Sequence, residues 1–131
     1  MAYIKINGRE FDADVAIEKY NRNFNVLDGA NAGRVMSGRM VRDIIGSYVG
    51  HKLTVFRRGD NYAGLDDFWD YLVTHSVDDS VLLEAADGQS TISYQAYYTA
   101  GQQDLERVEN GINYWGTIEV NFVPISATVT P

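Results

Sequence analysis

The chain has 131 residues, of which 45% are hydrophobic and 22% charged, as is typical of one globular domain. It contains no cysteine, which excludes disulfides, thiolate metal sites and cysteine nucleophiles. The formal net charge of −7 argues against phosphate-backbone binding, so we expect no sequence-specific nucleic-acid partner. No apolar run approaches the roughly 20 residues of a membrane helix, and the first residues lack a signal-peptide pattern. We therefore expect a single domain over residues 1–131 with no membrane partner.

The charges are unevenly distributed along the chain. Residues 1–58 contain ten of the eleven basic residues and six acids, whereas residues 59–131 contain only Arg107 and twelve acids. If the two halves form different faces, copies could stack head to tail through complementary charge. Alternatively, strands from both halves interleave in one sheet and the asymmetry cancels locally.

The first half of the chain reads as strands. Residues 3–6 and 9–11 flank Asn7-Gly8, which favours a type I′ hairpin turn. An extended segment is predicted over residues 15–27, followed by a small-residue loop. Residues 34–58 then form one or two long strands, in which Gly46 and Gly50 predict bulges or a bend. For residues 40–45 a helical turn is an alternative.

One helix is predicted, over Leu65–His75. Its apolar stripe consists of Leu65, Phe68, Trp69 and Leu72, at the spacing of one helix face. Three acids, Asp66, Asp67 and Asp70, fall at its predicted start, where the helix dipole favours negative charge. The large aromatic stripe predicts that this helix packs on a sheet.

The second half contains further predicted strands over residues 81–85, 90–98, 105–109 and 112–123. Asp87-Gly88 is the predicted turn between the first two, and Asn110-Gly111, a second strong hairpin signal, joins the last two. Residues 124–131 are expected to be a tail that only a neighbouring molecule orders. The predicted fold class is therefore mainly β: an antiparallel sandwich or barrel with one flanking α-helix.

No motif predicts catalysis, so we expect a protein that is not an enzyme and has no cofactor, catalytic residue or metal ligand. The only histidines are His51 and His75, and no serine stands in a nucleophile elbow. Acid groups such as Asp12 with Asp14, or Asp66 with Asp70, match no calcium loop. A small hydrolase that uses paired aspartates and a metal is a distant alternative.

Aromatic residues are abundant, with nine tyrosines and two tryptophans. Tyr94, Tyr97, Tyr98, Tyr114 and Trp115 concentrate late in the chain. Such side chains are typical of strands, cores and subunit interfaces. They also suit a sugar-binding platform, so a monomeric carbohydrate-binding module that uses surface aromatics is the alternative function.

Three segments carry a family resemblance: Ile4-Lys5-Ile6-Asn7-Gly8, residues 40–46 (MVRDIIG) and residues 110–116 (NGINYWG). With them the chain resembles small structural proteins of phage and prophage tails. The order of strands, one helix and more strands is loosely similar to the tail-tube fold. That resemblance implies subunits that join their sheets into rings and stack through loops and a long hairpin, here residues 34–58. A tail tube, baseplate hub, tail terminator or head–tail connector protein all fit it.

The resemblance implies a non-enzymatic virion protein, made in the bacterial host cytoplasm, whose partners are further copies of itself and other phage tail proteins. We expect the subunit interface in residues 28–42 and 110–115. Its predicted members are Arg34, Arg39, Arg42, Asn110, Tyr114 and Trp115. The three arginines are expected to pair with acids of a neighbour, so replacing all three by alanine should block assembly of a folded monomer.

Overall fold

The computed structural model describes residues 4–29, 33–34 and 38–131, without the side chains of Glu18, Arg34 and Val41. Strands dominate it, and one α-helix packs on their flank. In chain order the elements are β1 (Ile4–Ile6), β2 (Ala13–Val15), a 3-10 helix (Ile17–Lys19), β3 (Asn21–Asp28), β4 (Gly33–Arg34), β5 (Met40–Val41), β6 (Ile44–Arg57), α1 (Tyr62–His75), β7 (Val81–Asp87), β8 (Ser90–Tyr97), β9 (Gly101–Glu109) and β10 (Ile112–Pro124).

All strand pairs are antiparallel, and the main sheet curls into a nearly closed barrel. One part of it, the four-stranded sheet, has the order β3-β6-β10-β9. The other part has the order β1-β7-β8-β10, and β10 joins both by pairing with β8 at Val123 and Pro124. The short β2 pairs with the last residues of β6, beyond the reach of β3. The predicted class, mainly β with one flanking helix, is confirmed.

Alternating apolar residues build the core between this curled sheet and α1. Leu53 and Val55 of β6 and Ile118, Val120 and Phe122 of β10 are buried, as the period of two predicts. From α1, Leu65, Phe68 and Leu72 are buried against them. The fourth residue of the predicted stripe, Trp69, is only half-buried.

The helix begins three residues earlier than the pattern predicts. Asn61 caps it by accepting a hydrogen bond from the backbone N–H of Gly64, and its amide also contacts the Asp12 carboxylate. The first turn contains no acid, so Asp66, Asp67 and Asp70 lie beyond the helix start. The helix-dipole explanation for those three acids is therefore wrong, because the dipole effect is confined to the terminal turns.

The N-terminal predictions need two corrections. Asn7 and Gly8 do form a tight turn with φ of 53° and 76°, but residues 9–11 form no second strand, only a bridge from Ile6 to Arg9. Instead, β1 pairs with β7. The predicted extended segment 15–27 is interrupted by the 3-10 helix, which turns the chain between β2 and β3.

The long strand is also differently arranged from its prediction. β6 runs without a break from Ile44 to Arg57, and residues 40–45 form no helical turn. The irregularity predicted at Gly46 is present: the register between β3 and β6 shifts between the pairs Leu27–Gly46 and Asp28–Ile44. Gly50, by contrast, lies inside regular pairing. A Cβ on Gly50 would lie 2.6 Å from the Phe122 carbonyl oxygen, so this glycine serves close strand approach rather than a bend.

The last strands differ from their predictions mainly in their limits. β9 begins at Gly101 rather than Leu105, and β8 ends at Tyr97. The turn between β7 and β8 lies one residue later than expected, with Gly88 at φ 56°. The Asn110-Gly111 turn is confirmed: both residues have positive φ, 52° and 75°, and they join β9 to β10.

The C-terminal segment is held by its own chain, which contradicts the prediction of a tail ordered only by a neighbour. Ser47 and Val129 exchange backbone hydrogen bonds of 2.9 and 3.2 Å. The Thr128 hydroxyl accepts from the backbone N–H of Val49, and Ile125 donates to the Gln95 carbonyl. β6 therefore organises the segment after β10.

Candidate functional site

The two outer strands of the four-stranded sheet are candidate contact surfaces. β3 pairs only with β6, and β9 pairs only with β10, among the residues that the structure describes. β3 has eight residues and β9 has nine, and neither contains proline. Native sheets usually blunt such edges with short strands, proline or charge; of these only charge is present here, as four charged residues on β9 and two on β3. Two long edges on opposite sides of one sheet are thus open to pairing.

Apolar side chains are exposed along both edges. Phe24 on β3 is 70% exposed, and Val26 beside it is also exposed. On β9, Val108 is 59% exposed and Leu105 also faces solvent. Phe24 and Val26 are two residues apart, so they lie on one face of the strand. Each edge thus offers unpaired backbone groups together with apolar surface.

The sheet is staggered, so its two ends differ. We call the end at Asp28 and Ile44, where β3 connects to β6, the upper end, and the end at Glu109 and Ile112 the lower end. β6 pairs with β3 over residues 44–52 and with β10 over residues 51–55. Two hairpins therefore project in opposite directions from the sheet.

The six predicted interface residues separate into these two ends. Arg39 and Arg42 lie at the upper end, as does the backbone of Arg34, whose side chain lies outside the described part. Asn110, Tyr114 and Trp115 lie at the lower end, on the β9–β10 hairpin. Within one molecule they therefore form no single site.

Arg42 is already paired within its own chain. Its Nε donates to Asp28 Oδ1 at 2.9 Å, and its Nη2 donates to Asp28 Oδ2 at 3.1 Å. This two-pronged contact raises the pKa of the guanidinium and ties the end of β3 to the segment that precedes β6. Arg39, by contrast, is exposed and makes no ion pair with any described residue.

The lower hairpin is braced against the start of α1. The Tyr114 ring packs edge-on against Tyr62 at 4.7 Å, and the Arg107 guanidinium lies 4.5 Å from the centre of the Tyr114 ring. Arg57 joins this cluster through Glu106 at 3.0 Å. Tyr114 therefore packs within its own chain. The sequence pattern did not distinguish this role from the predicted contact with a neighbouring subunit.

Trp115 lies at the mouth of a groove between α1 and the lower hairpin. The groove encloses about 440 Å³ and is lined by Asp66, Trp69, Asp70, Gln103, Asn113 and Trp115. Sequence reasoning assigned Trp69 to the core and the two acids to the helix start. The available signal for this groove was the spacing of Asp66, Trp69 and Asp70, which places them on one helix face. The strand residues that complete the groove lie more than 30 residues further along the chain.

The charge asymmetry between the two halves is partly neutralised inside the molecule. Arg9 pairs with Asp67, Arg22 with Asp87 and Arg57 with Glu106, so strands of the basic half meet acids of the other half. Asp12 and Asp14 both pair with Arg58. Surface pairs of this kind contribute little to stability individually but cancel much of the local potential.

One polar cluster is buried. His51 is 0% exposed; its Nδ1 lies 2.7 Å from the Tyr94 hydroxyl and its Nε2 lies 3.4 Å from Asp87 Oδ1. Burial lowers the pKa of His51, against the opposing effect of Asp87, and raises the pKa of Tyr94. The nearby Tyr20 hydroxyl donates to the Ala86 carbonyl, and burial raises the pKa of Tyr20 to about 12. Complete burial of the imidazole makes this cluster an internal brace between β6 and the β7–β8 hairpin.

The described ranges contain no group of three or more histidine or acidic residues arranged to hold a metal ion. Nor does any helix there have the length and apolar character needed to cross a membrane. The chain matches no protein-family model, and no curated protein is detectably similar to it.

Proposed function

We propose that this protein is a non-enzymatic structural subunit of a phage tail that assembles into rings by pairing β3 of one copy with β9 of the next. The observation that carries the proposal is the pair of long, open, apolar edges on opposite sides of the four-stranded sheet. The resemblance of residues 4–8, 40–46 and 110–116 to small phage-tail proteins supports the biological setting.

The strand directions suit this contact. The order β3-β6-β10-β9 is antiparallel throughout, so β3 and β9 run in opposite directions. Rotation about a ring axis that runs broadly along the strands keeps the sense of each strand along that axis the same in every copy. The β9 edge of one copy therefore meets the β3 edge of the next in the antiparallel sense, like every other pair in the sheet. A head-to-tail contact of this kind closes into a ring when its rotation permits.

The energetic terms also favour edge pairing. Burying Phe24 and Val26 against a neighbour would remove apolar surface from water, at about 25 cal/mol per Å². Unpaired backbone N–H and C=O groups on both edges would exchange water for strand partners. The two edges have eight and nine residues, so each can satisfy the other along most of its extent in a ring whose strands tilt enough to absorb the stagger between β3 and β9.

The test is assembly of an edge variant. In the β3-edge variant, Phe24→Asp and Val26→Asp remove the apolar contacts and place acids opposite Asp104, Glu106 and Glu109 of β9. Light scattering and negative-stain microscopy should show rings for the wild type and monomers for this variant. Val77→Asp is the matched control, because Val77 is 86% exposed but lies in the loop after α1. Equal assembly of all three proteins would reject the proposed contact.

The second candidate is a monomeric carbohydrate-binding module. The groove beside α1 favours it, because two indole rings, two carboxylates and two amides line one cavity. Sugar rings stack on aromatic faces while their hydroxyls bond to such polar groups. A strictly monomeric protein whose tryptophan fluorescence responds to oligosaccharides would favour this candidate over the ring subunit.

A further inference from the structure

The groove beside α1 contains two carboxylates that pair with no cation in the described part of the chain. Asp66 and Asp70 are four residues apart on α1, so both face the groove from successive turns. Neither makes an ion pair with a described residue, whereas the adjacent Asp67 pairs with Arg9. Burial and the negative charge of Asp70 raise the pKa of Asp66, the expected result when two acids share a confined space.

Two indoles flank these carboxylates. Trp69 lies between the two acids in sequence, and Trp115, 37% exposed, reaches the groove from β10. The side-chain amide nitrogen of Gln103 donates to the Gly116 carbonyl at 2.8 Å. This bond fixes the Gln103 side chain in the groove and leaves its amide oxygen as an acceptor. The groove thus presents acceptor oxygens and aromatic faces, which suit a flat cation. A guanidinium stacks on an indole while donating two parallel hydrogen bonds to a carboxylate.

We infer that this groove binds the guanidinium group of an arginine from a second copy of the chain, and that Arg39 is that arginine. The inference rests on the proposed function and adds the contact between stacked rings. The groove lies at the lower end, beside Asn113 and Trp115, whereas Arg39 lies at the upper end. When copies stack with the same orientation, the upper end of one faces the lower end of the next.

Of the two upper-end arginines whose side chains the structure describes, Arg39 is the one open to such a contact. Arg42 is engaged by both oxygens of Asp28, which leaves little capacity for a second carboxylate. Arg39 is exposed and makes no ion pair with a residue in the described part of its own chain. The stacked contact would therefore pair Arg39 with a carboxylate of the groove without breaking an ion pair among the described residues.

The groove itself is tested on a monomer. We would titrate the β3-edge variant with N-acetyl-arginine amide and follow tryptophan fluorescence. A saturable change is expected, with at least tenfold weaker binding after Asp66→Asn with Asp70→Asn. N-acetyl-lysine amide should bind more weakly, because it lacks the planar fork. The absence of a saturable change up to about 100 mM, a concentration high enough to reveal even weak side-chain binding, would overturn the inference. A response to N-acetylglucosamine oligomers alone would also overturn it.

The stacked contact is tested by charge exchange in the full chain. Arg39→Asp should leave single rings but abolish ring stacking, and Asp70→Arg added to it should restore stacking. Lys19→Asp is the matched control, because Lys19 is an exposed cation on the 3-10 helix. Stacking that persists in Arg39→Asp would overturn this inference alone and leave the ring proposal standing. Arginine-amide binding by a wild type that never forms rings would overturn the ring proposal and the identity of the partner, and leave the groove as an arginine site.

Discussion

Gly46 of β6 lies directly against Ala127 of the C-terminal segment. A Cβ placed on Gly46 would be 2.6 Å from the Ala127 Cβ and 2.9 Å from the Val129 carbonyl oxygen. The absence of a side chain at this position lets the segment run close enough to exchange hydrogen bonds with Ser47. One glycine therefore decides whether the end of the chain docks on its own β6.

Gly46→Ala should detach this segment from β6. The methyl group would overlap backbone and side-chain atoms, and overpacking of this kind costs about 1–3 kcal/mol. Hydrogen–deuterium exchange should show lost protection at the amides of Ser47, Thr128 and Val129, with β10 unaffected. Gly33→Ala is the control, because a Cβ there would meet no atom of the described residues within 4 Å. Unchanged protection in Gly46→Ala would show that the segment is not held by this contact.

Replacing the helix cap should lower stability. Asn61→Ala removes the side-chain oxygen that accepts from Gly64, which typically costs about 1 kcal/mol. Asn61→Ser keeps an accepting oxygen but loses the amide contact to Asp12, so it separates the two roles. Urea unfolding of the three proteins measures the difference. If Asn61→Ala and Asn61→Ser are equally destabilised, the contact to Asp12 matters and the cap does not.

The buried His51 should make the fold sensitive to acid. Burial lowers the pKa of His51 in the folded state below its ordinary value of about 6.5, so the unfolded chain takes up a proton more readily. Stability is then full above about pH 6.5 and falls as the pH drops below that value, because the unfolded state binds more protons. Urea unfolding between pH 8 and 5 (a range of about one and a half units either side of that pKa) measures the fall.

His51→Gln removes the titrating group and retains a polar side chain opposite Tyr94. We expect lower stability at neutral pH but a weaker decline toward acid than in the wild type. His75→Gln, at the end of α1, is the matched histidine control and should retain the decline. An identical pH profile in the wild type and His51→Gln would assign the acid sensitivity to other groups.

Local signals predicted the fold class and several elements correctly. Asn110-Gly111 fixed its hairpin because both residues tolerate positive φ, and the α1 stripe identified its buried face through Leu65, Phe68 and Leu72. The start of α1 was missed because the first turn, Tyr62-Ala63-Gly64, carries no apolar repeat and its cap at Asn61 depends on tertiary contacts. The docking of the C-terminal segment was missed for a related reason. The sequence pattern predicts that Gly46 interrupts a strand, and only the tertiary structure places Ala127 and Val129 against it.

The candidate site was less accessible from sequence than the fold. Asp66, Trp69 and Asp70 share a helix face, but only the docking of α1 beside β9 and β10 brings Gln103 and Trp115 to them. Similarly, Arg42 and Arg39 look equivalent in sequence, and only the pairing of β3 with β6 places Asp28 next to Arg42. The open edges of β3 and β9 depend on strand order, which local patterns do not specify.

The measurement that tests the central claim most directly is the mass of a mixture of two edge variants. The β3-edge variant keeps an intact β9, and a β9-edge variant, Leu105→Asp with Val108→Asp, keeps an intact β3. If rings form through β3 against β9, each variant alone is monomeric, whereas an equimolar mixture forms a dimer and nothing larger. Light scattering coupled to size exclusion would show this species. Self-association of either variant alone, or a mixture that stays monomeric while the wild type forms rings, would contradict the proposed contact.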